Sequence, residues 1–212
     1  MPTSSVVRFA ICVALAAGLA VTSHAQTAME HLEALGRTLR SHPGWTATYH
    51  QEFLPVGMTV PEETDGIVWV AWPDRAQFRA GHPEVRRLGL EGRVVRLVDF
   101  EMSSCDDHTL SDDEWARIPL APILDPSVAL DRFTVIDVEG IGFALVPRDP
   151  GGVARLEVEM GPDRLPVRVV ILDPQGTANR LVFSDWTPAV EPPGGEWLPQ
   201  PPVGVECIDD GS

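Results

Sequence analysis

The chain has 212 residues, 31 acidic side chains against 16 basic ones, and a formal net charge of −15 at neutral pH. Every base is an arginine; there is no lysine. A surface of that sign repels polyanions, which excludes nucleic acid as a partner.

The first 25 residues read as an export signal rather than as fold. Arg8 precedes an apolar run from Phe9 to Val21, and Ser23-His24-Ala25 offers small residues where a signal peptidase reads them. The run is too short to span a bilayer. Cys12 follows Ile11, where a lipoprotein signal needs a small residue. The expectation is therefore cleavage after Ala25, a free exported chain, and a single domain over residues 26–212. An uncleaved anchor is the alternative.

Residues 28–40, AMEHLEALGRTLR, form an amphipathic helix, with Leu32, Leu35 and Leu39 at helical spacing and His42-Pro43-Gly44 as its stop. The period then changes to two. In WTATYHQEFL, Trp45, Ala47, Tyr49 and Phe53 share one face, and Thr46, Thr48, His50 and Glu52 the other. GIVWVAW follows, turned by Pro73-Asp74; EVRRLGL and RVVRLVDF flank Glu91-Gly92 as a hairpin.

Ser111-Asp112-Asp113-Glu114 then breaks the strand pattern with a capping box that opens a short helix through Trp115 and Ile118. Pro119 and Pro122 interrupt a second apolar piece, LAPILDP. Strands resume with FTVIDVE, GFALVP, ARLEVEM, RLPVRVVILD and NRLVFSDW. A stretch rich in Pro and Gly, 188–202, leads to a last short strand, VGVECI.

Strands so closely spaced imply an antiparallel meander. The predicted fold is mainly β: an unclosed, half-open antiparallel β-barrel of about 10–11 strands, with an N-terminal helix and a short helical lid insert. Two short helices can roof such a sheet without filling it, which leaves an apolar hollow; a fully packed sandwich is the alternative from periodicity alone.

Two cysteines lie beyond the signal, Cys105 and Cys207. In an oxidising compartment an even pair suggests a disulfide, worth up to about 4–5 kcal/mol for a loop of roughly a hundred residues in the chain-entropy model; two separate thiols are the alternative.

No GxSxG, HExxH or phosphate loop is present, so no catalytic residue is expected and the reading is not an enzyme. Cys105-Asp106-Asp107-His108 is a cluster of mixed ligand types in what reads as a strand-end loop, with no second cluster to complete a metal site. It reads as a solvated acidic loop, and no cofactor or metal is expected. Asp112, Asp113 and Glu114 read as helix N-terminal charge.

A set of ordered motifs resembles the periplasmic lipoprotein carrier family, LolA. Tyr49-x-Gln51 stands in the first strand; Gly66-Ile67-Val68-Trp69-Val70 leads to the proline turn Pro73-Asp74-Arg75; Glu91-Gly92-Arg93 forms the hairpin. Pro119 through Pro126 resembles the lid, and Leu145-x-Pro147, Asp173-x-x-Gly176 and Pro201-Pro202-x-Gly204-Val205 follow in order. The resemblance implies a half-open barrel under helices. It also implies a monomeric periplasmic carrier that takes an acylated lipoprotein from an inner-membrane releasing transporter to an outer-membrane receptor. One position departs: Trp72 stands where the family places a gating arginine before the strand-ending proline. That departure leaves a second reading, a periplasmic module that senses lipid or lipoprotein on the same scaffold.

The cavity candidates are Trp45, Tyr49, Phe53, Trp69, Phe78, Leu97, Phe143 and Phe183. The lid candidates are Leu35, Leu39, Trp115, Leu120, Ile123 and Leu124. Large, deformable side chains suit a site that must hold acyl chains and release them. Strand register, and so the direction of each tryptophan, is open at this stage.

Overall fold

A computed structural model describes residues 23–115, 118, 121–149 and 151–209. Residues 1–22 of the expected export signal (1–25), together with Pro119 and Leu120 of the lid segment, lie outside the described residues; Ser23–Ala25 open the first helix.

Helix α1 (Ser23–Arg40) is followed by six strands: β1 (Gly44–Leu54), β2 (Glu62–Ala71), β3 (Arg75–Ala80), β4 (Arg86–Glu91), β5 (Val94–Asp99) and β6 (Ser104–Thr109). Three short helices come next, α2 (Asp112–Trp115), α3 (Ala121–Leu124) and α4 (Pro126–Arg132). The chain then forms β7 (Phe133–Ile136), β8 (Gly142–Pro147), β9 (Arg155–Met160), β10 (Pro166–Leu172), β11 (Ala178–Ala189) and β12 (Ile208–Asp209).

All twelve strands belong to one sheet in the order β12-β6-β5-β4-β3-β2-β1-β11-β10-β9-β8-β7. The long β1 is its hinge, with β2 on one side and β11 on the other. Every pairing is antiparallel except that of β12, which lies parallel to β6. The end strands β7 and β12 do not pair, so the curled sheet is an unclosed barrel.

Registers settle which side each strand residue faces, since directly opposed partners share a face. Trp45, Ala47 and Tyr49 oppose Val70, Val68 and Gly66; Val68 and Val70 oppose Phe78 and Ala76. On the other side Tyr49 opposes Phe183, Leu181 opposes Val169, and Val169 opposes Val158, which opposes Phe143. This face is concave. On it Phe143, Leu145, Leu156 and Val158 are wholly buried, and the apolar stripe of α1 (Ala28, Leu32, Leu35, Leu39) is pressed into them. Each buried leucine contributes about 1.5–3 kcal/mol. The principal contacts of α1 are with β8, β7, β1 and the two short helices α3 and α4, so it roofs the β7–β8 half of the concavity.

The convex face has its own cover. Beyond β11 the chain runs as an extended strap, residues 190–207, back across β2 to β5. Gln77, 1% exposed on the convex side of β3, donates its amide to the carbonyls of Glu196 (2.8 Å) and Trp197 (3.1 Å). Gly89 lets the strap touch the sheet: a Cβ there would collide with the Trp197 carbonyl oxygen and Pro199 Cδ. Arg96 donates to the Pro199 carbonyl at 3.4 Å. The Cys105–Cys207 disulfide then fastens the strap to β6. The expected strand over 203–208 is thus almost entirely strap, and only Ile208–Asp209 pairs with the sheet. Pro199, Pro201 and Pro202, just before that span, lack the N–H groups a strand pairing there would need.

Candidate functional site

The candidate site is the part of the concave face that the helices leave uncovered. Leu97, Leu88 and Phe78 oppose one another in turn across β5, β4 and β3. They lie on the half of the sheet away from the main contacts of α1. Leu88 is 37% exposed and Phe78 and Leu97 are half-buried. Tyr49 connects this strip to β11: its ring lies 5.7 Å from Phe78, edge-on, and 6.5 Å from Phe183, which in turn lies 5.5 Å from Trp186. At the far end of β1, Phe53 is 36% exposed. The result is an aliphatic and aromatic strip with an exposed flank.

Burial pushes the Tyr49 phenol up to about 12. Its hydroxyl donates to the Arg79 carbonyl at 3.4 Å, so it stays neutral at any physiological pH. Beside the strip, the Gln51 amide donates to Asn179 Oδ1 at 2.9 Å, placing a neutral polar pair on the concave face.

The structure divides the eight cavity candidates into three groups. Phe53, Phe78, Leu97 and Phe183 flank the open strip. Trp45, Tyr49 and Phe143 are on the same face but are 8%, 4% and 0% exposed; they are core, with Tyr49 at the boundary. Trp69 is a correction. It faces the convex side, where it forms a separate cluster with Ala71 and Trp197, and the Arg79 guanidinium lies 4.7 Å over its ring. The alternation in GIVWVAW contains this answer, but the strand is apolar on both faces, so periodicity could not say which face was inward. Leu88 and Leu90 on the concave side of β4 were missed for the opposite reason: the charged EVRR before them resembles an exposed edge.

The lid candidates Leu35, Leu39, Trp115, Ile123 and Leu124 are all buried in the one concave core. Leu120 lies outside the described residues. The capping box is formed in both directions: the Ser111 N–H donates to Glu114 Oε2 at 2.8 Å, and the Glu114 N–H donates to Ser111 Oγ at 3.2 Å. The Ser111 hydroxyl also donates to Glu114 Oε2 at 2.7 Å, and this bond, together with that from the Ser111 N–H, holds the Glu114 carboxyl down to about 2. His108 lies 3.2 Å from the other oxygen of Glu114, and the Arg93 guanidinium lies 4.5 Å over the Trp115 ring, so α2 is tied to β6 and to the β4–β5 turn by polar and cation–π contacts. At the departing position, Trp72 is 42% exposed, and Arg40 from the last turn of α1 lies 5.8 Å over its ring. The link between roofing helix and sheet is therefore made with the aromatic group on the sheet and the cation on the helix.

Cys105-Asp106-Asp107-His108 is not a loop but strand β6. Alternation sends Cys105 and Asp107 to the convex side and Asp106 and His108 to the concave side. Cys105 is bridged, Asp107 takes two bonds from Arg96 (2.6 and 2.7 Å), and His108 meets Glu114. The Arg96 guanidinium holds Asp107 below the usual carboxylate range. His50, on the convex side of β1, has Nδ1 2.8 Å from an Asp65 oxygen. That bond raises its pKa.

Two further recesses lie apart from the strip. One, of about 30 Å³, is enclosed by Arg132, Phe133, Pro147, Asp149 and the Gly151-Gly152-Val153 turn. The other, of about 410 Å³, is lined chiefly by charged groups, including Asp137, Glu139, Arg155, Glu157, Glu159 and Arg168. The first is too small for an acyl chain, and the charged lining of the second does not suit one.

The geometry defines a class: an unclosed antiparallel barrel with helices over part of its concave face. Neither the family models nor the curated proteins compared with the chain yield a match. Among solved structures, it is similar to an uncharacterized conserved protein from Thermus thermophilus, with a TM-score of 0.51 and 16% identity over 87% of this chain and 99% of that one. A LolA superfamily protein from Nitrosomonas europaea aligns at 0.46 with 10% identity over 79% of this chain and 96% of that one. A chain of the Pseudomonas aeruginosa MucA/MucB complex aligns at 0.45 with 17% identity over 76% of this chain. This chain spans 56% of the length of that last one. Of the three, the Thermus protein alone passes 0.5, and at such identity the likeness is one of fold. The half-open barrel expected from the sequence motifs is the architecture the chain adopts.

Proposed function

We propose that the protein is an exported, periplasmic carrier that holds the acyl chains of a lipoprotein or similar lipid on the open strip of its concave face and carries them between membranes. The observation that supports this most directly is the partly exposed flank formed by Phe53 and Leu88, which are exposed, and Phe78, Leu97 and Phe183, which are half-buried, beside a fully packed half-core. A free-standing domain gains nothing by leaving such a strip in water. Each methylene moved from water onto it is worth about 0.8 kcal/mol, so a sixteen-carbon chain gains on the order of 10 kcal/mol if covered along its length. The strip is open on one flank, which favours release over permanent storage. The step is binding without bond-making.

An inner-membrane releasing transporter and an outer-membrane receptor are the partners the motif resemblance suggests. The Trp72–Arg40 contact favours the second reading, a lipid-sensing module, because it replaces the family's arginine-centred gate with a weaker cation–π contact. The deciding experiment is purification of the exported chain with extraction of bound lipid for mass spectrometry. It is followed by a release assay in which lipoprotein leaves inner-membrane vesicles only with this protein and ATP. Retained lipid without release supports sensing; no retained acylated molecule overturns both readings.

A further inference from the structure

The hairpin joining β1 and β2 ends in LPVGMTVP, residues 54–61. Three aliphatic side chains stand at this tip: Val56 is 62% exposed, Met58 59% and Val60 71%. Alternate apolar residues at a loop tip are unusual in a chain this acidic, where solubility favours charge. The tip is also built. Met58 N–H donates to the Pro55 carbonyl at 3.1 Å, and Gly57 at φ 81° takes the third position of the turn, where a type II turn requires glycine. Pro55 and Pro61 stiffen both arms. Residues 62–65 of β2 lie beyond its last pair with β3, Gly66 to Ala80, so the tip projects past its neighbour.

Below the tip is a collar of acids. Glu62, Glu63 and Asp65 are exposed on β2, with Glu52 opposite on β1. An apolar end above an acidic collar suits a lipid surface of low charge and is repelled by an anionic one. Phe53, the concave-face residue next to the tip, lies on the same face of β1 as Tyr49, with the hydrogen-bonded Gln51–Asn179 pair between them.

We propose that this tip is a membrane-touching element that seats Val56, Met58 and Val60 in the interface of a zwitterionic bilayer. It deepens the carrier reading, since it brings the open end of the acyl-binding strip to the surface from which a chain is taken or to which it is given. Three partly exposed aliphatic groups give reversible rather than permanent attachment.

The test is flotation of the full exported chain with vesicles of phosphatidylcholine and phosphatidylethanolamine, and with vesicles rich in phosphatidylglycerol. The native chain is compared with a triple variant, Val56→Ser, Met58→Ser and Val60→Ser. The three side chains contribute no core packing, so the melting curve of the variant should match the native one. The native chain is expected to float with neutral vesicles, and the triple variant to partition at least roughly tenfold less. Anionic vesicles are expected to bind the native chain less, with recovery at high salt. The proposal is overturned if the native chain stays at the bottom with neutral vesicles, or if the variant floats equally well. It is also overturned if sedimentation shows a native dimer that the variant loses, which would make a second copy the occupant of the tip. Binding of a fluorescent fatty acid, measured separately on both chains, keeps the two readings apart. Flotation without fatty-acid binding removes the carrier reading and leaves the tip standing; fatty-acid binding without flotation does the reverse.

Discussion

The ring of Tyr49 occupies the space that Gly66, its cross-strand partner, leaves by having no side chain. A Cβ at Gly66 would fall 2.5 Å from Tyr49 Cζ and would collide with the Arg79 carbonyl oxygen. One of those obstacles is backbone, so the clash has no cheap relief. The pair places an aromatic ring at the junction of packed core and open strip.

Gly66→Ala is therefore expected to destabilise the fold by about 1–3 kcal/mol, as overpacking does. Gly152→Ala, at a position with open space around its would-be Cβ, is expected to stay within about 0.5 kcal/mol of the native chain. Urea unfolding of both variants checks the contrast.

The concave face should separate into two behaviours. Phe143→Ala, in the wholly buried core, is expected to cost about 3–5 kcal/mol. Leu88→Ser, on the exposed flank, should cost far less in stability yet weaken fatty-acid binding. Paired melting and fluorescence titrations measure both quantities on each variant.

The strap should come loose when its fastening is cut. The Cys105–Cys207 bridge has a sequence separation of 102 residues. Cys207→Ala is expected to lower stability by up to about 4–5 kcal/mol in the chain-entropy model. Limited proteolysis should then cut first within residues 190–207. Gly89→Val attacks the same contact by filling the gap under Trp197 and Pro199, and should give the same cleavage with the bridge intact.

The capping carboxylate gives a pH signature. Glu114 is held down to about 2 by its bonds from Ser111, against an ordinary value of 4.5. A depressed folded pKa means a contribution fully present above the ordinary value and lost as pH falls from there through about 2. Carboxylate NMR titration should find the Glu114 midpoint near 2, and Ser111→Ala should return it toward the ordinary range. His50 titrates in the other sense. Its pKa is raised chiefly by the Asp65 bond, so its contribution is full below 6.5 and disappears as pH rises through the raised value. Asp65→Asn should bring the imidazole midpoint down.

Local chemistry was legible where one residue type had one use. The Ser111–Glu114 box, the α1 stripe and the polar and apolar faces of WTATYHQEFL could be read directly, because each rests on spacing along a single element. Trp69 could not be placed, since its strand is apolar on both faces and only the strap explains the second. The path of the strap was not legible because its hydrogen bonds to the sheet run from Gln77 and Arg96 to backbone carbonyls, and its side-chain contacts, Trp197 on Trp69 and the Cys105–Cys207 bridge, follow no local period. Strand β6 resembled a loop because its sequence, SCDDHT, is polar on both faces; its partners Arg96 and Glu114 lie elsewhere in the chain. The extent of the roof depends on where α1 lands on the sheet, a tertiary relation that no local period encodes.

The sheet has two borders, and they are unequal. At one, Ile208–Asp209 occupies the rim of β6 beside Asp106 and Asp107, and Asp209 adds a third carboxylate there. A second molecule bringing its own strand to that rim would meet acid against acid at a site already taken. At the other border, β7 ends the sheet with FTVI, which carries no acid. Strand-to-strand joining is thus favoured at one border and opposed by charge at the other, an asymmetry that suits a pair better than a growing fibre.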